Sequence, residues 1–292
     1  MNTRSKGTAL ITGASSGIGA IYADHWARRG YDLILIARNQ ERLEALATRI
    51  TDRTGRSVEV IVADLSNERD LARVEQVLRS DGRIKLLVNN AGIASTAPLL
   101  DADVNTMDQI IALNIRALMR LTYAAAPGFV ARGGESIINI ASVVGIAPEI
   151  LNGVYGASKA FVLALSQSLH HELTSKNVRI QVVLPGATAT DIWEKAGTPL
   201  ESLPKEIVMP VEDMVDAALA GFDQGEIVTI PALPEVADWE AYEAARQNLI
   251  PKLSLSSPAV RYGVAAAWTP RQDDIADPEN IRRSQDNPTA IW

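Results

Sequence analysis

The chain has 292 residues, of which 47% are hydrophobic and 22% are charged, so it can bury a substantial core. It carries 28 Lys and Arg against 35 Asp and Glu, and this net charge of −7 disfavours nonspecific binding to nucleic acid or anionic lipid. The absence of cysteine excludes disulfides, thiolate metal sites and a cysteine nucleophile.

Seven short aliphatic runs alternate with stretches of helical spacing. Continuous apolar strands joined by helical crossovers are typical of a parallel sheet covered on both faces. We therefore predict an α/β fold with a doubly wound parallel sheet in three layers. The predicted strands are TALIT, DLILIA, SVEVIVA, IKLLVNN, SIINIAS, RIQVVLPG and EIVTIPA, and the predicted helices cover 17–30, 39–52, 67–79, 104–131, 154–175 and 211–223.

The pattern changes after about residue 232. Residues 235–250 predict a helix that ends before Pro251 and either covers a pocket, joins subunits or packs on the surface. We expect residues 1–250 to form a single domain and 251–292 a partly loose extension, with a polar tail over 269–292.

No apolar signal core precedes the first strand, and no apolar run approaches the ~18 residues needed to span a bilayer. We therefore expect a cytoplasmic protein without a membrane contact. The sequence has three histidines, of which His170 and His171 are neighbours on a predicted helix and point about 100° apart. We expect no metal site.

The stretch TGASSGIG allows two interpretations. Gly13-x-Ser15-x-Gly17 fits the turn that presents a nucleophilic serine, whereas Gly13, Gly17 and Gly19 fit a glycine-rich turn that binds phosphate at a helix N-terminus. A serine hydrolase needs a histidine late in the chain, and none follows His171. The phosphate site is favoured, because other polar or glycine-bearing segments also end strands: ARN, ADLS, NNAG, ASVVG and PGATAT.

Together these motifs resemble the single-domain branch of the short-chain dehydrogenase/reductases over about residues 7–231. The matching residues are Thr12 to Gly19 (T-G-x-x-x-G-x-G), Asn89 to Gly92 (N-N-A-G), Asn114, Ser142, Tyr155 with Lys159 (Y-x-x-x-K), and Pro185 with Gly186. The resemblance implies a Rossmann-type sheet of about seven strands, a nicotinamide dinucleotide and a homo-oligomer, usually a tetramer but otherwise a dimer.

The resemblance also assigns catalytic roles to Asn114, Ser142, Tyr155 and Lys159. Tyr155 and Lys159 share a helix face. Lowering a tyrosine pKa by about three units requires about 4 kcal/mol, which an ammonium and a cofactor cation could supply. By resemblance Tyr155 exchanges the proton, Lys159 lowers its pKa and holds the nicotinamide ribose, and Ser142 orients the substrate carbonyl.

Asn114 falls on the apolar stripe of its predicted helix. A buried amide without a partner costs about 1–3 kcal/mol, so something should bind it, and the resemblance implies an ordered water leading to Lys159. The alternatives are an exposed Asn114 on a slightly rotated helix and a Ser142 that only caps a strand end.

The end of the second strand bears on the dinucleotide. Arg38 follows LILIA without an acidic residue before it, and a guanidinium suits a 2′-phosphate, so we predict NADP (NADPH) over NAD, although Arg38 could be merely solvated. Asp64 matches an adenine contact, with the alternative that Asp64 or Ser66 caps the next helix. The expected cofactor residues are Gly13, Ser15, Ser16, Gly17, Ile18, Gly19, Arg38, Asp64, Leu65, Asn90, Ala91, Gly92, Tyr155, Lys159, Pro185, Gly186, Thr188 and Thr190.

The substrate is expected to meet residues 93–98, 143–154 and 187–210, which carry few charges, and 190–210 is long enough to be a mobile lid. We predict hydride transfer between NADPH and an apolar or aromatic carbonyl compound or alcohol. The alternatives are a non-catalytic NADP sensor and an extended-branch epimerase or dehydratase. The expected substrate contacts are Ser142, Val144, Tyr155, Ile192 and Trp193.

Overall fold

Seven parallel strands form one sheet in the computed structural model, which describes residues 5–151 and 153–264. Their order is β3-β2-β1-β4-β5-β6-β7, so the direction of winding reverses between β1 and β4. The predicted seven-stranded parallel sheet is confirmed. The strands are β1 (Thr8–Thr12), β2 (Asp32–Ala37), β3 (Val58–Val62), β4 (Ile84–Asn89), β5 (Ser136–Ile140), β6 (Arg179–Val183) and β7 (Val228–Thr229).

Helices cover both faces of the sheet. Alternate strand residues divide between two cores: Ala9 and Ile11 pack with α1, α2 and α8, and Leu10 packs with α3, α5 and α6. This is the predicted three-layer Rossmann-type arrangement. The helices are α1 (Gly17–Arg28), α2 (Gln40–Thr54), α3 (Glu68–Ser80), α4 (Val104–Ile110), α5 (Leu118–Ala131), α6 (Gly153–Leu173), α7 (Ile192–Lys195), α8 (Val211–Gln224) and α9 (Val236–Gln247).

The segment 104–131, predicted as one helix, is interrupted by a π-helical turn. Residues Ile111–Ala117 form this wide turn between α4 and α5. A π turn inside a helix is rare and occurs frequently at functional sites. Asn114 lies in the middle of the turn and is only 2% exposed.

A chain of buried side chains joins α5 to α6 through two strands. Asn89 on β4 donates from Nδ2 to Thr122 Oγ1 at 3.0 Å and to Asn139 Oδ1 at 2.9 Å. Asn139 on β5 donates from Nδ2 to Ser166 Oγ at 3.0 Å. Because buried polar groups are costly when unpaired, these bonds hold α5 and α6 in one position relative to the sheet.

The described residues divide into two units between Leu233 and Pro234. In the second unit, the ring of Trp239 stacks against the ring of Tyr242, and both residues belong to α9. Their ring centroids are 5.3 Å apart. The role of this helix stays a prediction, and the polar tail over 269–292 lies outside the described residues. No described helix is both long and apolar enough to cross a bilayer.

Candidate active site

The ends of β1 and β4 are joined side by side by hydrogen bonds. Thr12 Oγ1 accepts from the backbone N–H groups of Asn90 and Ala91, both at 3.0 Å. Asn90 Nδ2 donates to the carbonyl oxygens of Thr12 at 2.9 Å and Gly13 at 3.1 Å. We call these four bonds the Thr12–Asn90 clamp. These bonds lie between β1 and β4, where the strand order reverses, and open α/β sheets bind their ligands at such a point.

The glycine-rich turn between β1 and α1 needs its glycines. Gly13 has φ +65° and Gly17 has φ +53°, which side chains rarely adopt. A Cβ on Gly19 would clash with the Gly13 carbonyl oxygen. Ser16 is the N-cap residue of α1, and among the described residues its side chain makes no capping hydrogen bond. The first N–H groups of α1 therefore suit an anion.

A cleft of about 540 Å³ opens at this edge of the sheet. It contains part of the expected cofactor set, namely Gly13, Ser15, Ser16, Arg38, Asp64, Leu65, Ala91 and Gly92. The expected residues outside its lining are Gly17, Ile18, Gly19, Asn90, Tyr155, Lys159, Pro185, Gly186, Thr188 and Thr190.

Three polar residues that line this cleft were not predicted from the sequence: Asn39, Arg42 and Lys195. Asn39 caps α2, since its Oδ1 accepts from the Arg42 N–H at 2.8 Å. Arg42 lies on the first turn of α2, and its closeness in the chain to Arg38 was the available signal. Lys195 comes from α7, and nothing local in the sequence connects it with the cleft.

Asp64 contributes a carboxylate to the same cleft. Desolvation raises its pKa, but hydrogen bonds from the Ser66 hydroxyl at 2.6 Å and the Ser66 N–H at 2.9 Å, together with the Arg38 charge, lower the pKa further than burial raises it. Asp64 is therefore ionised at neutral pH. The alternative role as a cap of α3 is wrong for both Asp64 and Ser66, because Asn67 accepts from the first N–H groups of that helix.

The serine-hydrolase alternative finds no support at this edge. Ser15 lines the cleft, whereas His25 Nε2 lies 3.3 Å from Asp216 and the His170 ring contacts Thr174. In the described part of the chain, no group of three His, Asp or Glu side chains could hold a metal ion.

Tyr155, Lys159 and Ser142 meet beyond the end of β5. Tyr155 is 7% exposed and its side chain is hydrogen-bonded to that of Ser142. Lys159 Nζ donates to the Ile140 carbonyl at 3.0 Å and lies 5.7 Å from the centroid of the Tyr155 ring. Ser142 also donates to the Pro185 carbonyl at 3.2 Å and caps the short 3₁₀ helix Val143–Gly145. Ser142 therefore serves both as a cap and as a partner of Tyr155.

Asn114 is held directly by backbone. Its Nδ2 donates to the Ile93 carbonyl at 2.9 Å, its Oδ1 accepts from the Ile93 N–H at 3.0 Å, and Nδ2 also reaches Ser158 Oγ at 3.2 Å. A Cβ on Gly92 would lie 3.2 Å from Asn114 Oδ1 and 3.6 Å from Lys159 Nζ. The alternative of an exposed Asn114 is wrong, while the water leading to Lys159 stays a prediction.

Burial moves the two central pKa values in opposite directions. Desolvation raises the pKa of Tyr155 to about 12, against a lowering by the hydrogen bond to Ser142. Desolvation lowers the pKa of Lys159 to about 8. The lowering of the Tyr155 pKa that we expected from the Lys159 ammonium is not among the effects that set it here, since desolvation outweighs the hydrogen bond to Ser142.

An apolar cluster adjoins Tyr155. Val144, which is 2% exposed, packs with Tyr155, Met107 and Ile110. Ile192 and Trp193 lie on α7 and are half-buried. The Trp193 indole N–H donates to the Thr188 carbonyl at 2.9 Å.

The segment around α7 is also bonded to the segment after β4. Thr96 Oγ1 donates to the Ala196 carbonyl at 2.9 Å, and Thr198 Oγ1 donates to Thr96 Oγ1 at 2.8 Å. Two of the three expected substrate-facing segments, 93–98 and 187–210, are thus joined. Whether 190–210 moves as a lid stays a prediction.

Comparison with known proteins identifies the family. A model of the short chain dehydrogenase family matches residues 7–200. The chain therefore belongs to the short-chain dehydrogenase family, a class of oxidoreductases that act on CH–OH and C=O groups.

Two solved structures are similar over most of the chain. A short-chain dehydrogenase from Sphingobium yanoikuyae in complex with NADPH is 50% identical, with a TM-score of 0.85 over 88% of this chain and 99% of that one. A bulky-bulky ketone specific alcohol dehydrogenase from Comamonas testosteroni is 44% identical, with a TM-score of 0.82 over 89% of this chain and 99% of that one.

A curated relative is matched over a shorter stretch. A very-long-chain 3-oxoacyl-CoA reductase from Anas platyrhynchos is 38% identical over 186 residues, which are 62% of this chain and 60% of that protein.

The buried Lys159 predicts a pH dependence of stability. Between pH 8 and pH 10.5 the folded protein binds fewer protons at this amine than the unfolded chain, because burial lowers the pKa from 10.5 to about 8. The free energy of unfolding should therefore rise with pH, relative to Lys159→Met, by about 2–3 kcal/mol up to pH 10. Urea unfolding from about pH 7 to pH 10 measures this difference.

The matched control is Lys176→Met, which removes an exposed lysine and should run parallel to the wild type. A curve for Lys159→Met that also stays parallel to the wild type would show that Lys159 titrates as a solvated amine.

Proposed function

We propose that this protein is an NADPH-dependent carbonyl reductase and alcohol dehydrogenase with Tyr155 as the general acid and base. The observation that carries the proposal is the hydrogen-bonded pair of Tyr155 and Ser142, with the Lys159 ammonium beside it, at the same sheet edge as the cationic cleft. When bound, the nicotinamide would supply or accept the hydride.

The residues of the cleft fit a phosphorylated dinucleotide. The N-terminus of α1 offers N–H groups at the glycine-rich turn, and Arg38 and Arg42 line the region beyond β2. Arg38 makes no ion pair with any described residue and interacts with Asp64 only at longer range. A guanidinium that lacks a close carboxylate favours a 2′-phosphate. The NADPH complex of the Sphingobium protein supports the same cofactor here.

In the direction of reduction, Tyr155 holds the proton that the product oxygen receives. Its pKa of about 12 keeps the phenol protonated at neutral pH. The Ser142 hydroxyl, which donates to the Pro185 carbonyl in this structure, would turn to donate to the same substrate oxygen. The Lys159 ammonium, with a pKa of about 8, stabilises the phenolate that remains. Asn114 holds the backbone of Ile93 at the edge of the site.

The substrate proposed for this site is a bulky apolar or aromatic ketone, or the matching secondary alcohol. The cluster beside Tyr155 consists of Met107, Ile110 and Val144 with partly buried aliphatic residues around them. The similarity to the bulky-bulky ketone specific alcohol dehydrogenase from Comamonas testosteroni supports the same class.

A panel of substrates tests this function. With NADPH and the purified chain, neutral alkyl-aryl and diaryl ketones should have kcat/KM values about tenfold or more above those of small anionic aldehydes, because burial of their apolar surface favours them. Absorbance of the reduced nicotinamide measures the rate. Tight NADPH binding without turnover of any compound would favour the non-catalytic sensor, and a preference for anions would overturn the apolar site.

The variant Tyr155→Phe tests the general acid. It should lower kcat by about 10²–10⁴-fold, because the proton donor is removed. Its Kd for NADPH should stay within about twofold, since the ring remains. The control is Tyr123→Phe on α5, where the ring is 65% exposed. Turnover close to that of the wild type in Tyr155→Phe would remove Tyr155 from the mechanism.

The variant Arg38→Gln tests the cofactor preference. Loss of the guanidinium should raise the Kd for NADPH about tenfold and leave the Kd for NADH unchanged, because only NADPH carries the 2′-phosphate. The control is Arg49→Gln, an exposed arginine further along α2. Equal Michaelis constants of the wild type for NADPH and NADH would contradict the preference.

A further inference from the structure

One carboxylate oxygen connects two of the cations that line the cleft. Asp191 Oδ2 lies 3.5 Å from Arg42 Nη1 and 3.7 Å from Lys195 Nζ. Arg42 belongs to α2 and Lys195 to α7, and both side chains line the cleft, as Arg38 does. Asp191 is the residue before α7. The carboxylate therefore occupies a guanidinium at the end of the cleft where the 2′-phosphate is proposed to bind.

We propose that Asp191 is a specificity-determining residue that competes with the 2′-phosphate of NADPH for Arg42. The competition reduces the preference for NADPH over NADH, because NADH has no group that must displace the carboxylate. This inference rests on the proposed function.

The Arg42–Asp191 pair is built to exchange. Its side chains are 54% and 56% exposed, and 3.5 Å is longer than the about 2.7–2.9 Å of a strong charge-assisted hydrogen bond. Exposed pairs of this kind stabilise a protein little. A phosphate monoester carries about −1.5 to −2 charges and three strong acceptor oxygens, which match the donor fork of arginine. The phosphate therefore displaces the carboxylate and not the reverse.

Asp64 and Arg38, two other charged groups of the cleft, do not share this property, whereas Lys195 shares the Asp191 carboxylate with Arg42. Asp64 is held by the hydroxyl and N–H of Ser66 and interacts with Arg38 only at longer range. Arg38 forms no ion pair with a described carboxylate. Arg42 is thus the arginine of the cleft whose availability depends on a carboxylate, and that carboxylate is Asp191.

The experiment compares Asp191→Asn with Glu194→Gln. Both variants remove one negative charge from the same short segment, but Glu194 forms no ion pair with any described residue. Isothermal titration calorimetry of the full chain measures the Kd for NADPH and for NADH without turnover. In Asp191→Asn the Kd for NADPH should fall about threefold to fivefold while that for NADH stays unchanged. Glu194→Gln should match the wild type for both.

Two further variants secure the assignment. Asp191→Ser should reproduce the gain, because it also removes the carboxylate. In an Arg42→Gln background, Asp191→Asn should bring a smaller gain, because the guanidinium is absent and the carboxylate then occupies Lys195 alone.

The outcomes separate the two proposals. Unchanged NADPH affinity in both Asp191 variants, an equal gain for NADH, or an equal gain in Glu194→Gln would overturn the competition and leave the proposed function intact. A wild type that binds no NADPH would overturn both.

Discussion

The Thr12–Asn90 clamp is the constraint on which the site depends. After β1 the chain enters α1 on one face of the sheet, and after β4 it proceeds toward the helices of the other face, so a crevice opens between them. The clamp holds the two strand ends together at the base of that crevice. It also explains the glycine at position 13, since a Cβ there would lie 2.8 Å from Asn90 Nδ2. Sheet topology creates the crevice, and four hydrogen bonds keep its floor in place.

Water exclusion is the second determinant of the site. Tyr155 and Lys159 are both buried, and desolvation favours the neutral form of each. A phenol that keeps its proton is suited to act as an acid. An amine with a pKa of about 8 is still mostly protonated at neutral pH. The same burial makes Lys159 costly to the folded state, so part of the stability of the chain is given up at this position.

Much of the fold followed from the sequence, because strand and helix patterns alternate without interruption from Thr8 onward. The convergence of the polar segments also followed, since carboxyl ends of parallel strands meet at one edge. β7 is shorter than the run EIVTIPA suggested: it pairs with β6 alone, through Val228 and Thr229. As an edge strand, β7 can form hydrogen bonds with one neighbouring strand only, so its length is set by its pairing with β6.

Other features depend on distances that a linear pattern does not contain. The raised pKa of Tyr155 follows from burial, which the spacing between Tyr155 and Lys159 does not report. Lys195 lies more than 150 residues after Arg42 in the chain, yet both line the cleft. Asn114 was expected on a buried stripe, but its partner, the backbone of Ile93, became evident only from the structure.

The wide turn Ile111–Ala117 gives this helical segment one surplus residue compared with a regular helix of the same path. The extra residue rotates the side chain of Asn114 relative to those of α5. Leu121 and Phe129 of α5 are fully buried against the sheet. If the segment were one residue shorter and regularly α-helical, it would keep either the buried apolar face of α5 or the position of the Asn114 amide, but not both. The reason is that one residue corresponds to a rotation of about 100° around the helix axis. The π-helical turn therefore allows one continuous helical segment to contribute side chains to both the core and the site.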